Sequence, residues 1–129
     1  MMIVFKKGED FIPALRRYFQ KHKIKSASFF GLGGFLKAEL AFYELKTRKY
    51  TEKKFDGPFE VPSLVGNLAQ AEGKDFMHIH AVLGKKNFQA FGGHLLSAIV
   101  GGTLDLTIIH EPGLVRRIDK ETGLRLLKI

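Results

Sequence analysis

Three of the five histidines lie close together in the sequence, at His78, His80 and His94, within the stretch FMHIHAVLGKKNFQAFGGHLLSAIVGG. Neutral imidazole is a good ligand for zinc and similar metals, and three such ligands with a water molecule make an open tetrahedral site. The sequence therefore contains a candidate metal site, provided that the fold brings the third ring to the other two. The other interpretation is that these rings are partly buried and only pack a core or subunit interface, because His-x-His often occurs by chance.

The backbone around the first two histidines is predicted to be a strand. Side chains two positions apart in an extended segment share a face, so His78 and His80 should point the same way. The apolar side chains of the opposite face are then Met77, Ile79, Ala81 and Leu83. This alternation predicts that one face of the strand enters the core while the other presents the imidazoles.

The position of His94 depends on the loop between this strand and the next. A three-residue loop over residues 85–87 would set His78 directly opposite His94, with Asn87 in the left-handed conformation that closes such a loop. A two- or four-residue loop would turn His94 to the other face unless the pair Gly92-Gly93 forms a bulge. The three-histidine cluster is therefore a conditional prediction.

Length and composition exclude several classes of site. The 129 residues suit one domain, which we assign to residues 1–129. The absence of cysteine excludes disulfides, thiolate metal sites and a cysteine nucleophile. The opening MMIVFKKGED lacks the pattern of a signal peptide, and no apolar run approaches the roughly 20 residues that cross a bilayer, so we expect a cytoplasmic protein without a membrane partner. Abundant Lys and Glu with few Asn and Gln is typical of proteins from hot environments.

The chain is basic, with a net charge of +8. A basic surface attracts nucleic acid through phosphate contacts that are sensitive to salt and blind to sequence. The best candidates for such contacts lie in one polar segment, and they are Lys46, Arg48, Lys49, Lys53 and Lys54. The alternative is that this run is a solvated loop or an edge strand on which lysines block unwanted pairing.

Helical spacing identifies one main helix near the N-terminus. Asp10 is a plausible N-cap residue. The apolar stripe that follows at helical spacing consists of Phe11, Leu15, Tyr18 and Phe19. Its cations lie mostly off that stripe, which favours a solvated basic face on a helix packed against a sheet over a helix that contacts DNA bases.

The remaining segments alternate at the scale of hairpins, with a second short helix predicted near residues 95–99. Turns are predicted at residues 31–34, 56–58 and 119–123, each of which contains glycine, and the last of them closes a predicted hairpin over residues 114–129. The first is not a dinucleotide fingerprint, because that pattern needs glycine where Leu36 stands. The fold class is therefore α+β, with a mainly antiparallel sheet of about seven strands and one main helix.

Several segments in this order resemble the PPC (plant and prokaryote conserved) domain. They are GED before the helix, KSASFFGLGGF, FDGPFEVPSLVGNLA, HIHAVL, FGGHLLSAIVGGTLDL and RRIDKETGL. The resemblance implies a homotrimer with a mostly antiparallel sheet, similar to stand-alone prokaryotic members described as predicted DNA-binding proteins. It also maps the family's histidine trio onto His78, His80 and His94. The Arg-Gly-Arg-Pro segment that enters the minor groove in plant members is absent from this sequence.

The sequence is compatible with three functions. The first is a non-enzymatic, trimer-forming module with weak electrostatic association to DNA, favoured because no nucleophile with a matching base is evident. The alternative is a zinc-dependent enzyme or small-ligand binder that uses the three histidines. Its general base would come from Glu39, Glu72, Asp75 or Asp105. In the third, the histidines only pack a subunit interface.

Overall fold

The computed structural model describes residues 1–128, and in that range the chain forms one helix and seven strands. In chain order they are β1 (Met2–Lys6), α1 (Phe11–Lys21), β2 (Ala27–Glu44), β3 (Lys49–Ala71), β4 (Lys74–Gly84), β5 (Ala90–His110), β6 (Val115–Ile118) and β7 (Arg125–Lys128). The predicted α+β class and the number of strands are confirmed. Within residues 1–128, no helix is both long and apolar enough to cross a membrane.

The strands form one sheet, whose pairings are antiparallel except for a short parallel contact between β3 and β6. β2 pairs with both β3 and β5, and β4 also pairs with both β3 and β5. These four long strands are therefore joined in a closed cycle, while β1 extends β5 and the β6–β7 hairpin extends β3. A closed cycle leaves no free edge between these strands and encloses the core on their inner faces.

Helix α1 covers that core with its apolar stripe. Phe11, Leu15 and Phe19 are fully buried, as predicted, and Asp10 occupies the N-cap position. The ring of Phe11 packs edge-on against Phe5 at 5.2 Å. Burial of each such ring stabilises the fold by about 1.5–3 kcal/mol, which fixes the helix against the sheet.

The predicted turn at residues 31–34 is wrong, because β2 runs straight through it. The glycines serve a close approach between strands: a Cβ on Gly31 would lie 2.2 Å from the carbonyl oxygen of Asp105, and one on Gly33 would lie 2.1 Å from that of Thr103. Only a residue without a side chain lets β5 come this near. The same glycines that suggested a turn therefore hold two long strands together.

The second helix predicted near residues 95–99 is also wrong, since this segment lies inside β5. Leu40 pairs with Leu95 but Glu39 pairs with Ser97, so β5 carries an extra residue at this point. Such a bulge places buried Leu95 and Ala98 three positions apart, which imitates helical spacing. The turn predicted at residues 56–58 likewise lies inside β3, beside another register shift.

The predicted C-terminal hairpin is confirmed for the described residues as β6 and β7. Asp119 donates its backbone N–H to the carbonyl oxygen of Leu124, and Gly123 has a φ of 76°. The last residue of the predicted hairpin, Ile129, lies outside the described residues. This hairpin carries Arg116 to the ring of His78.

Candidate metal and ligand site

Strand β4 sets the direction of the first two histidines. Ile79, which lies between them, is 2% exposed in the core, and this forces His78 and His80 onto the outer face. The prediction that they share a face is confirmed. Of the opposite face, Ala81 and Leu83 are buried and Met77 packs against the core from its edge.

Strand β5 brings the third histidine to the same place, but in a register that differs from the prediction. His94 pairs with His80, and not with His78, because the loop spans five residues, 85–89. Phe88 with a φ of 67°, and not Asn87, takes the left-handed conformation. Three and five are both odd numbers, so the change of register by two residues leaves His94 on the predicted face.

The three rings form a compact group. The ring centroids lie 4.8 Å apart for His78 and His80, 5.1 Å for His78 and His94, and 5.4 Å for His80 and His94. One nitrogen from each ring lies within 4.8 Å of the other two, and the Nε2 atoms of His78 and His80 are 3.0 Å apart. Two ligands of a tetrahedral zinc ion are separated by roughly 3.3 Å, given Zn–N distances of about 2.0–2.1 Å. The donor set therefore fits such an ion.

Arg116 on β6 lies beside this group and is 6% exposed. Its guanidinium donates to the carbonyl oxygen of Arg125 and to Oδ1 of Asn67, both at 2.7 Å, and lies 3.3 Å from Nδ1 of His78. Because a guanidinium can only donate, Nδ1 is the acceptor and the neutral ring of His78 carries its proton on Nε2, facing His80. To hold a metal ion through Nε2, His78 would need its proton on Nδ1, where it could no longer accept from Arg116.

Burial and neighbouring positive charge keep two of the rings neutral. Burial, followed by the charge of Arg116 and then of the other histidines, lowers the pKa of His78 to about 4. Burial, His80 and Arg116 also lower the pKa of His94. A ring that is neutral at pH 7 keeps a lone pair for a metal ion, so these shifts favour ligation.

A cavity of about 370 Å³ opens beside the rings. Its walls are mainly apolar and aromatic, and they include Phe42, Tyr43, Tyr50, Phe76 and Leu126. Burial and then Tyr43 raise the pKa of Tyr50, so its hydroxyl stays protonated. None of the four predicted general bases, Glu39, Glu72, Asp75 and Asp105, is among the residues that line this cavity.

The five predicted nucleic-acid contacts lie on or near the β2–β3 hairpin. All five side chains are exposed. Arg48 has a structural role there, because its guanidinium donates to the carbonyl oxygens of Lys120 and Glu121 at 2.8 and 2.7 Å. Lys53 lies over the ring of Phe55 at 5.3 Å. These cations are separate from the histidine cavity, because none of them lines it.

Arg116 and Tyr50 were missed by the sequence analysis. Arg116 stands next to Arg117 in a four-residue strand, where alternation sends one side chain inward and the other outward. That pattern indicates one buried arginine, but it does not say what the arginine contacts. Its partners on β3 and β4 lie 49 and 38 residues away in the sequence.

Comparison with known proteins agrees with this fold. The pattern of the Plants and Prokaryotes Conserved (PCC) domain matches residues 1–111. A solved structure from Ralstonia eutropha JMP134, named as a presumed DNA-binding protein, is 30% identical, with a TM-score of 0.90 over 99% of this chain and 90% of that one. No curated protein sequence matches this chain significantly.

Two archaeal structures are similarly close. A metal-containing protein from Archaeoglobus fulgidus is 28% identical, with a TM-score of 0.89 over 100% of this chain and 92% of that one. A plant- and prokaryote-conserved protein from Pyrococcus horikoshii is 25% identical, with a TM-score of 0.88 over 100% of this chain and 90% of that one. The whole described fold, and not only the histidine strands, is therefore shared with these proteins.

Proposed function

The chain belongs to the Plants and Prokaryotes Conserved (PCC) domain family, and on that premise we propose that it is a metal-binding protein with a cavity for a small ligand. His78, His80 and His94 would hold the ion, for which zinc is the first candidate. The family predicted from the sequence is confirmed. Three histidine ligands leave a zinc ion a fourth position for water or for a ligand in the cavity.

The observation that carries this proposal is the convergence of three imidazole nitrogens within 4.8 Å of one another. Rings that only pack an interface do not need their nitrogen atoms to lie this close together. Support also comes from the Archaeoglobus fulgidus relative, which is described as metal-containing. When bound, a zinc ion supplies a Lewis acid at the cavity wall. We propose binding and not a particular reaction, because none of the four acidic candidates lines the cavity.

A titration with zinc and cobalt(II) tests this function, using protein that is purified without a histidine tag and stripped with chelator. We expect one ion per chain, with the visible absorption of tetrahedral cobalt. His94→Gln should reduce the affinity at least tenfold, because one of three ligands is lost. His22→Gln is the matched control, since His22 is exposed at the end of α1. Equal binding by both variants would overturn the proposal.

We also propose a second property, a homotrimer that associates with DNA through non-specific electrostatics. Exposed apolar side chains on one sheet face favour assembly, and they are Val4, Phe30, Leu32, Val65 and Ile109. The strand registers place all five on the same face, and a large exposed apolar face is typical of an interaction surface. The presumed DNA-binding relative and the net charge of +8 support the DNA component.

A further inference from the structure

The charge distribution of the histidine cavity is one-sided. Among residues 1–128, its charged lining groups are Arg116 and Arg125, and no Asp or Glu lines it. Arg125 lies 3.4 Å from the exposed carboxylate of Glu72, which lies outside that lining. The cavity therefore presents positive charge and imidazole on one side and apolar surface on the other.

Within residues 1–128, Arg116 is a buried cation without a carboxylate partner. Its acceptors are a backbone carbonyl, the amide of Asn67 and the imidazole of His78, all of them neutral. Its Nε atom is buried and has no hydrogen-bond partner within the described part of the chain. A buried charge carries a free-energy cost, and an anion in the cavity that Arg116 lines would offset it.

We propose that this cavity binds a small organic acid, with the carboxylate directed to Arg116 and an apolar body packed against the aromatic wall. The planar guanidinium matches a carboxylate in geometry and charge. Inorganic phosphate is a poorer match, because it has no apolar body to pack against the aromatic wall of the cavity. The proposal deepens the proposed function and rests on it in part, since an ion at the histidines would add positive charge to the same cavity.

Calorimetric titration with benzoate and its neutral isostere benzamide tests this inference on chelator-treated, metal-free protein. We expect benzoate to bind about tenfold more tightly than benzamide, because only the carboxylate gains a charge-assisted contact. Arg116→Gln should abolish the preference. Arg116 also ties β6 to β3, so a second variant that leaves these hydrogen bonds intact is needed.

Leu126→Glu is that second variant, because Leu126 lines the cavity, is 43% exposed and lies outside the hydrogen bonds of Arg116. Its carboxylate should repel benzoate and remove the preference. Leu127→Glu, at the adjacent exposed position that does not line the cavity, should leave the preference unchanged. Equal losses in the two variants, or equal binding of benzoate and benzamide by the native chain, would overturn the inference.

The results of the zinc and benzoate titrations together separate this inference from the metal proposal. If zinc fails to bind but the benzoate preference persists, the metal site is wrong and the carboxylate site stands. If zinc binds but benzoate shows no preference, the carboxylate site is wrong and the metal site stands. Inorganic phosphate that displaces benzoate at equal concentration would also overturn the assignment, since it would show a general anion site.

Discussion

The contact of His78 with Arg116 and its proposed role as a metal ligand require different positions of the ring proton. Arg116 holds its Nδ1 atom as an acceptor, which leaves the proton on Nε2, the atom that faces His80. If His78 held a metal ion through Nε2, its proton would lie on Nδ1 instead. Release of His78 would give Arg116 another free N–H group at the cavity, so metal and anion should favour each other.

The stability of the metal-free protein should depend on pH through His78. Its pKa is about 4 in the folded chain and 6.5 in the unfolded chain, so the unfolded chain binds more protons between these values. Stability is therefore fully present above pH 6.5 and lost as the pH falls to 4. The full shift corresponds to about 3 kcal/mol, which solvent screening of this half-buried ring reduces to about 1–2 kcal/mol.

Thermal denaturation in chelator between pH 7 and pH 4 measures this effect. His78→Gln should lose less stability on acidification than the native chain, and the lowered pKa of His94 leaves part of the dependence in place. His22→Gln is the matched control for removal of a histidine at an exposed position. The explanation fails if His78→Gln retains the full pH dependence of the native chain.

The glycines of β2 determine how closely β2 and β5 can approach each other. Gly31 has no room for a side chain, because a Cβ there would lie 2.2 Å from a β5 carbonyl oxygen. Gly84 at the end of β4 has room, because its nearest neighbour would be 3.5 Å away. The two glycines look alike in the sequence, and only the partner strand distinguishes them.

Gly31→Ala should therefore destabilise the fold by about 1–3 kcal/mol, as is typical of an overpacked site. Gly84→Ala should change stability by much less, since ordinary van der Waals contact awaits its methyl group. Chemical denaturation of both variants in urea measures the difference. Similar midpoints for the two variants would show that β2 and β5 tolerate a wider separation.

The sequence predicted what depends on local pattern. Alternation around Ile79 placed two histidines on one face, and the stripe from Phe11 identified the helix and its buried side. The predictions failed where the local structure depends on a neighbouring strand. The bulge near Leu95 gave a helical spacing of buried residues, and the glycine that allows the close approach at Gly31 was interpreted as part of a turn. The predicted register between β4 and β5 was also wrong, because the length of the loop that joins them depends on how residues 85–89 fold.

The histidine cavity is built from parts of the chain that are distant in the sequence. β4 and β5 supply the imidazoles, and β6 adds Arg116 at a distance of 38 residues from His78. The histidine trio could be predicted because the two strands are neighbours in the sequence and the loop between them is odd in length. Arg116 could not be predicted, because its position follows from the pairing of β6 with β3, which consists of only two residue pairs.

We expect the exposed apolar sheet face to be buried in the proposed trimer. Leu32→Glu puts a charge on this face and should convert a trimer to a monomer in light scattering. Phe88→Glu is the control, because Phe88 is 96% exposed at the tip of the β4–β5 loop, outside that face. The monomer should also bind duplex DNA more weakly at low salt, since three linked basic surfaces bind more tightly than one. A native chain that is already monomeric would contradict the trimer.

Crystals soaked in zinc and measured on both sides of the zinc absorption edge would show whether the three imidazoles share one metal ion. We expect one strong anomalous peak at about 2.0–2.1 Å from a nitrogen of each of His78, His80 and His94. A fully occupied zinc ion elsewhere with none at these rings, or no peak at all at saturating zinc, would contradict it.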